Sequence, residues 1–395
     1  MRAIMTDNEK TIANEISTSE RPRMLQDLRD KIQRLHPEMH RDTVEAMAAK
    51  MMLEVQKENM GIIKKVKEEE TDKNTEEILE IYNTVGIPTE LVTLTDNVSD
   101  HAFEGMLNEY DLQPVFVGNE KKNKKSKEVY VYANILKIME NTPTVAYPSL
   151  DEFDKEVFHA VLSLYTGGMI AISYEQIARF LSQKKNKRTE SKILEDIEIS
   201  LDKLTSYRVR IDVFNEAIAY NISMPNDRGE FVDTILSGRI CKFILNGHKT
   251  GGIILHATPI FYDYVIWKAH GKSAQIMRTP MQMLDVGLNS SKQTITLKYY
   301  LAERIRLMES RRSMSRIIRT GTILRKIERL RETKLTGEMT FEQVRNQNYN
   351  FRKKIIGYTE KILDAFVENH FIRSYTVGRD EKNAIVKFEI CTNYD

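Results

Sequence analysis

Phe153–Leu181 reads FDKEVFHAVLSLYTGGMIAISYEQIARFL, and its pattern decides how the middle of this chain folds. Phe153, Val157, Val161 and Leu164 recur at helical spacing and mark one apolar helix face. Gly167-Gly168 stops that helix, since glycine takes the left-handed backbone of a helix end without a steric penalty. Met169–Ile172 is short, apolar and strand-like, and Ser173 is a side-chain N-cap for a helix carrying Ile177, Phe180 and Leu181. A polar turn, Gln183–Arg188, leads to Thr189, another good N-cap. Beyond it Ile193, Ile197, Leu201 and Leu204 mark a third helix. Arg208–Phe214 and Ala217–Ser223 follow as two strand candidates. Arg239–Leu245 and Gly252–His256 then flank Asn246-Gly247, a pair that tolerates the positive φ of a hairpin turn.

The order helix, strand, helix, turn, helix, hairpin is that of a winged helix. A second pass through it begins near Thr294. Leu297, Leu301, Ile305 and Met308 form a helical face, and Thr320–Arg331 suits a second helix. Thr340 is placed to cap a short helical turn at Phe341–Arg345, and a long helix from Asn350 carries Ile355, Ile362, Leu363, Phe366 and Val367. Phe371–Val377 and Ala384–Ile390 form a hairpin around Gly378–Asn383. The expected class is therefore α+β, mainly α with small β-hairpins: tandem winged-helix domains preceded by a helical accessory region. Residues 1–75 form the accessory segment and linker, 76–149 a small mixed region, 150–274 the first winged helix with extra strands, and 275–395 the second, basic one.

Within the accessory segment, Pro22 suits the first turn of a helix reaching Leu35, with Ser19 or Glu20 ahead of it. Asp42–Lys67 presents Val44, Met47, Met51 and Val55 at helical spacing, a Met-rich stripe that serves either packing or a partner. Glu68–Thr75 reads as a solvated linker. Val115–Val117 and Val129–Tyr132 alternate like short strands, and Asn119–Lys127 between them reads as a hairpin loop whose five lysines are candidates for phosphate.

The chain has 395 residues, 41% apolar and 29% charged, which is the composition of a globular protein. No apolar run approaches the roughly 20 residues that cross a bilayer, and no secretion signal is legible, so a cytoplasmic protein is expected. Cys241 and Cys391 fit reduced, buried thiols and match no metal spacing. The formal charge of +2 hides an asymmetry. Residues 1–150 carry 20 Lys/Arg against 27 Asp/Glu, 151–274 carry 16 of each, and 275–356 carry 18 against 7. A positive block in a nearly neutral chain is the electrostatic pattern of a nucleic-acid binder.

No catalytic constellation is legible, and neither a cofactor nor a metal is expected. Gly271-Lys272-Ser273 resembles the end of a phosphate-binding loop, but Ile266 stands where the motif needs its first glycine. His36 and His40 are spaced for a helical metal site, yet the acid between them is at the wrong offset. None of the eight histidines shows the His-apolar-His spacing that nicking initiators need.

Duplex DNA is the partner that the basic block fits. Asn348, Asn350, Arg352, Lys353 and Lys354 open the presumed recognition helix, where asparagine pairs with adenine and arginine with guanine. Arg311, Arg312, Arg316, Arg319, Arg325, Lys326, Arg329 and Arg331 are expected on two turns of basic helix, suited to phosphate. About a third of these cations are expected to pair with acids such as Glu328, Glu332 and Glu342. Arg379 and Lys382 mark a wing tip. In the first module only Lys184, Lys185, Lys187, Arg188 and Lys192 are positive, while Glu190, Glu195, Asp196, Glu198 and Asp202 repel phosphate. That module is left with a lighter DNA contact or a dimer interface.

Phe153–Leu181, Ile193–Ile211 (ILEDIEISLDKLTSYRVRI) and Ser291–Ile305 (SKQTITLKYYLAERI) together resemble the theta-type plasmid and phage replication initiators built from two winged helices. The last stretch is similar to that family's entry into its second domain, a Ser-Lys pair before a helix with a Leu-Tyr core. The resemblance runs from about Leu150 to the C-terminus, and the long N-terminal region and extra strands depart from the family plan. It implies binding to repeated origin sites, recruitment of host replication proteins and autorepression as a dimer; a homodimer or a monomer–dimer equilibrium is expected. A transcriptional regulator with the same modules is the alternative, and a structural or partitioning protein assembling through the Met-rich helix is a further one.

Overall fold

The computed structural model describes residues 78–81, 88–122, 125–137, 149–183, 191–245, 248–271, 275–311, 314–331 and 341–394. In chain order these form β1 (Ile78–Ile81), β2 (Glu90–Leu94), α1 (Asn97–Phe103), β3 (Gln113–Lys122), β4 (Lys125–Lys137), α2 (Glu152–Thr166), β5 (Ala171–Ser173), α3 (Tyr174–Ser182), α4 (Ser191–Ser206) and β6 (Tyr207–Asp212). They continue with α5 (Phe214–Tyr220), β7 (Glu230–Thr234), β8 (Gly238–Leu245), β9 (His248–Leu255), α6 (Ile260–Ala269), β10 (Ile276–Pro280), α7 (Lys292–Ser310), β11 (Ile317–Arg319), α8 (Thr320–Glu328), α9 (Phe341–Glu368), β12 (Ser374–Arg379) and β13 (Ile385–Cys391). The protein is thus mixed helix and sheet. Pro22, the Met-rich stripe, the linker at Glu68–Thr75, His36 and His40 lie outside the described residues. Among the described residues, no helix is long and apolar enough to cross a membrane.

Contacts divide the chain into two compact units. In the smaller one, Met1–Ile87 with Gly167–Met169 and Cys241–Thr250, β1 pairs in parallel with β8 from Ile78↔Lys242 to Ile81↔Leu245. The larger unit, Pro88–Thr166 with Ile170–Ile240 and Gly251–Asp395, holds the rest of the architecture.

The core of the larger unit is built around α2, of which every residue from Glu152 to Leu164 is buried. Asp151 starts this helix by accepting from the backbone N–H groups of Phe153 (2.8 Å) and Asp154 (3.0 Å). Phe158 packs against Phe103 and Phe261 at ring separations of 5.5 and 5.8 Å. A helix buried all round also buries polar side chains, and each has work to do. Ser163 Oγ accepts from the Val92 N–H at 2.8 Å and His159 Nε2 from the Leu94 N–H at 3.4 Å, so α2 satisfies the edge of β2 that β10 leaves open. Burial and the nearby Lys155 hold His159 well below the usual histidine range, consistent with a neutral ring accepting that bond.

Ser173 caps α3 as its sequence promised, in a reciprocal capping box with Gln176. The hairpin that follows α4 departs from expectation. Ala217–Ser223 is not a strand: Phe214–Tyr220 is the helix α5, ended by Asn221 with φ 54. Helical spacing turns Glu216 and Ala217 inward while Phe214 and Ile218 face out. Glu216 then accepts from Tyr264 at 2.9 Å and pairs with Lys268 at 2.9 Å, partners that a strand would miss. β6 pairs with β4 and β7 in the sheet ordered β3-β4-β6-β7. The strand after α2 pairs with the later hairpin, through Ala171↔Ile254 and Ser173↔Gly252 of β9, which neighbours β8.

Gly251 of β9 lies under the Tyr174 ring, so close that an added Cβ would stand 2.4 Å from a ring carbon. Gly251→Ala is expected to destabilise the fold by about 1–3 kcal/mol through overpacking. A shift of the urea midpoint at unchanged slope would register it; an unchanged midpoint would show that Tyr174 moves freely.

In the C-terminal part, Ser291 caps α7 with Thr294 as its partner. β11, unanticipated by its sequence, separates α7 from α8 and pairs with β13 (Ile318↔Phe388), and β12 pairs with the other edge of β13. The break expected between Arg345 and Asn350 is absent, because α9 is one helix of 28 residues. No glycine or proline interrupts Phe341–Ile356, and the polar run Arg345–Asn350, with Tyr349 its one aromatic, shows no apolar periodicity by which to follow a helix. Cys241 and Cys391 lie on strands, as expected, but are half-buried rather than buried.

Candidate nucleic-acid interface

The two halves of α9 differ in what they touch. Ile355, Thr359, Ile362, Leu363 and Phe366 are buried at i, i+4, i+7, i+8 and i+11, so the C-terminal half packs on α7 and α8. The N-terminal half does not pack in this way. Glu342, Gln343 and Arg345–Asn350 are all exposed, as are Arg352, Lys353 and Lys354. A helix anchored at one end and mostly polar and exposed at the other presents a rod of Asn, Gln, Arg and Lys donors. B-DNA's major groove is wide enough to admit such a rod.

Asn348, Asn350, Arg352, Lys353 and Lys354 therefore share one exposed segment, though not the first turn of the helix as expected. They sit about two to three and a half turns in, because α9 starts at Phe341. Asn348 is already engaged, since Arg331 donates to its Oδ1 and also to Gln347 at 3.3 Å. The same guanidinium lies over the Phe351 ring, 5.2 Å from its centroid. Arg331 is thus a brace for the exposed helix. Tyr349, 65% exposed between Asn348 and Asn350, joins this surface although it was not among the residues expected there. An aromatic within the run NQNYN was its only signal.

The upstream cations are not on two turns of basic helix. Arg311 ends α7 and Arg319 precedes α8, both exposed, while Arg312 lies outside the described residues. Arg316 donates to the Met308 carbonyl. Arg325 is exposed on α8. Lys326 is the clear correction: its ammonium lies 2.6 Å from Glu152 and 3.6 Å from Glu104. Burial alone would lower its pKa, but Glu152 outweighs that and holds the lysine charged within the fold. Arg329 donates to the Glu104 carbonyl at 3.0 Å. Among the described residues the carboxylates that pair with Lys326 are those of Glu104 and Glu152, distant in sequence, and Glu332 lies outside the described residues.

The β12–β13 tip is a tight turn in which Asp380 accepts from the N–H groups of Lys382 (3.0 Å) and Ala384 (2.8 Å). Arg379 bonds its own turn at the Asn383 carbonyl, and Lys382 is exposed. Tyr375 donates to Asp364 of α9 at 2.7 Å, which ties this hairpin to the helix.

In the earlier module Lys184, Lys185, Lys187 and Arg188 lie outside the described residues, and Lys192 is exposed at the start of α4. The outward stripe of α4 carries Glu195, Glu198 and Asp202 beside Ile199, which is 43% exposed. Burial and then Glu198 raise the Asp202 carboxyl above its ordinary range. Asp196 pairs with Lys292 at 2.8 Å. This helix is the wrong sign for phosphate. Among the described residues, no group of three or more His, Cys, Asp or Glu side chains is placed to hold a metal ion.

No family model matches the chain. No curated protein matches it either. Among solved structures the chain is similar to one described as "Crystal structure of SeMet derivatives of domain2 and domain 3 of RctB", with a TM-score of 0.32 and 10% sequence identity, covering 75% of this chain and 98% of that one.

Proposed function

We propose that the chain is a sequence-specific duplex-DNA-binding protein, a replication initiator without catalysis of its own, whose reading helix is α9. The observation that carries this is the exposed N-terminal half of α9, with Asn350, Arg352, Lys353 and Lys354 held in solvent by a helix rooted in the core. Residues 275–395 then act as the principal winged helix. Supporting it are the order α7, β11, α8, α9, β12, β13 and the pairing of β11 with β13 beside β12. Residues 150–274 act as the first module, with β5 paired to β9 in the corresponding place. Its acidic α4 suits a partner chain better than phosphate, so homodimer contacts and host replication proteins belong on that side.

Arg352 is the residue assigned to guanine and Asn350 to adenine. Arg352→Ala is expected to lower affinity for the cognate duplex by about 1–3 kcal/mol and to relax discrimination at one position. Footprinting on the DNA flanking the gene supplies the cognate site. Equal binding of wild type and variant to cognate and scrambled duplexes would remove Arg352 as a reader. Protection of repeats beside an A·T-rich stretch supports initiation, whereas protection confined to a promoter makes the protein a regulator.

A further inference from the structure

Successive residues of a helix turn by about 100°, so the exposed half of α9 has a definite outermost row. Val344 and Phe351 are half-buried and Ile355 is buried, at i, i+7 and i+11, which marks the stripe facing the body of the protein. Asn346 and Lys353 fall about 140–180° round from each of these three, and Tyr349 about 120–160°. Spaced i, i+3 and i+7, Asn346, Tyr349 and Lys353 form the row that points furthest from the core, and all three are exposed. Glu342 heads the same row one turn earlier, and Asn350 and Arg352 flank it on either side. Arg331 braces the helix through Gln347, Asn348 and Phe351, none of which stands in this row.

Tyr349 is an unusual choice for that row. Its side chain is 65% exposed, so core packing does not select it. Tyrosine also forms helix less readily than the Lys, Glu, Gln and Arg that fill solvated helix positions. A ring held in water gains from any apolar surface that covers it. The major groove offers one such surface, the 5-methyl group of thymine. Asn346 in the same row and Asn350 beside it carry the amide that bonds N6 and N7 of adenine, the base paired with thymine. This face of α9 thus holds an apolar group and amide groups, the complements of what an A·T pair presents in that groove.

We propose that Tyr349 is a specificity-determining residue, its ring lying against the 5-methyl group of a thymine in the major groove. This deepens the reading of α9 as the DNA-reading helix and rests on it. The contact adds what phosphate contacts cannot, a preference for one base pair at one position. Thymine is singled out because its major-groove edge alone carries a methyl group, whereas adenine, guanine and cytosine would leave the ring against polar atoms.

The test uses the full chain and the duplex protected in footprinting, resynthesised with deoxyuridine in place of one thymidine at a time. Deoxyuridine keeps the base pair and removes only the methyl group. Wild type is expected to lose affinity about three- to fivefold at one thymine of the site, the worth of one buried methyl group. Tyr349→Ala should bind the unmodified duplex about three- to tenfold more weakly and show no further loss with deoxyuridine at that position. Tyr349→Phe should keep the wild-type response, because the ring makes the contact. The thermal midpoints of both variants should match wild type, since the residue is exposed. A wild type indifferent to deoxyuridine at every position overturns the proposal. So does a Tyr349→Ala variant that still responds as wild type does, which would mean that DNA shape or another residue senses the methyl group. Equal losses in the Phe and Ala variants overturn it as well, in favour of a hydroxyl contact to phosphate. If wild type binds no duplex, the reading of α9 falls along with the thymine contact. If wild type binds, weakens on Arg352→Ala and ignores every deoxyuridine, the thymine contact alone falls.

Discussion

Raising the salt from about 50 to about 200 mM is expected to weaken duplex binding by the full chain about 10³- to 10⁴-fold. Arg311, Arg319, Arg325, Arg352, Lys353, Lys354 and Lys382 are exposed cations of residues 275–395 and are the ones assigned to phosphate in this estimate. If each neutralises one phosphate, the slope of log affinity against log salt is about −6. Lys326 is left out because Glu152 already neutralises it. Fluorescence anisotropy with a labelled duplex measures the slope directly. A slope near zero would mean that the positive block from 275 to 356 does not meet phosphate, and duplex binding through α9 would go with it.

Lys203→Ala is expected to destabilise the fold by about 3–5 kcal/mol, because it strands a buried carboxylate. Lys203 and Asp154 are 6% and 1% exposed, and their charged atoms lie 2.7 Å apart. Ser200 adds a hydroxyl hydrogen bond of 2.5 Å to the same carboxylate. Burial, then the neighbouring Asp151, raise the Asp154 pKa to about 6 against the opposing pull of Lys203. A carboxyl raised in the folded state favours folding below its unfolded pKa, and that advantage is lost as pH rises through the folded value. For wild type this window runs from 3.8 to about 6. Without Lys203 the carboxyl rises further and the window extends upward. The deficit of the variant should therefore be larger at pH 8 than at pH 5, as read by urea unfolding. A deficit that is equal at both values would mean that Asp154 does not carry it.

Much of the helical framework was legible in the sequence. The spacing of Phe153, Val157, Val161 and Leu164, the Ser173 cap and the face of Leu297 to Met308 report a local quantity, the periodicity of apolar side chains against a buried surface. Strand partners were not legible. Nothing in Ala171–Ser173 says that it pairs with Gly252–Ile254 rather than with a nearer hairpin, since pairing depends on which edge the fold leaves open. The Ala217–Ser223 stretch alternated weakly enough to pass for a strand, and only Tyr264 and Lys268, nearly 50 residues on, make its helical form the better one.

The candidate interface divides in the same way. That the chain carries a dense positive block near its C-terminus, with Asn350, Arg352, Lys353 and Lys354 in sequence, follows from composition alone, because covalent order places those charges within a few turns of one another. Which of its cations stay in solvent was decided by tertiary structure. Glu104 and Glu152 engage Lys326 and Arg329 from positions more than 170 residues away, and Arg331 folds back on Phe351 to brace α9. A charge's partner is set by distance in space, and that distance exists only once the chain has closed on itself.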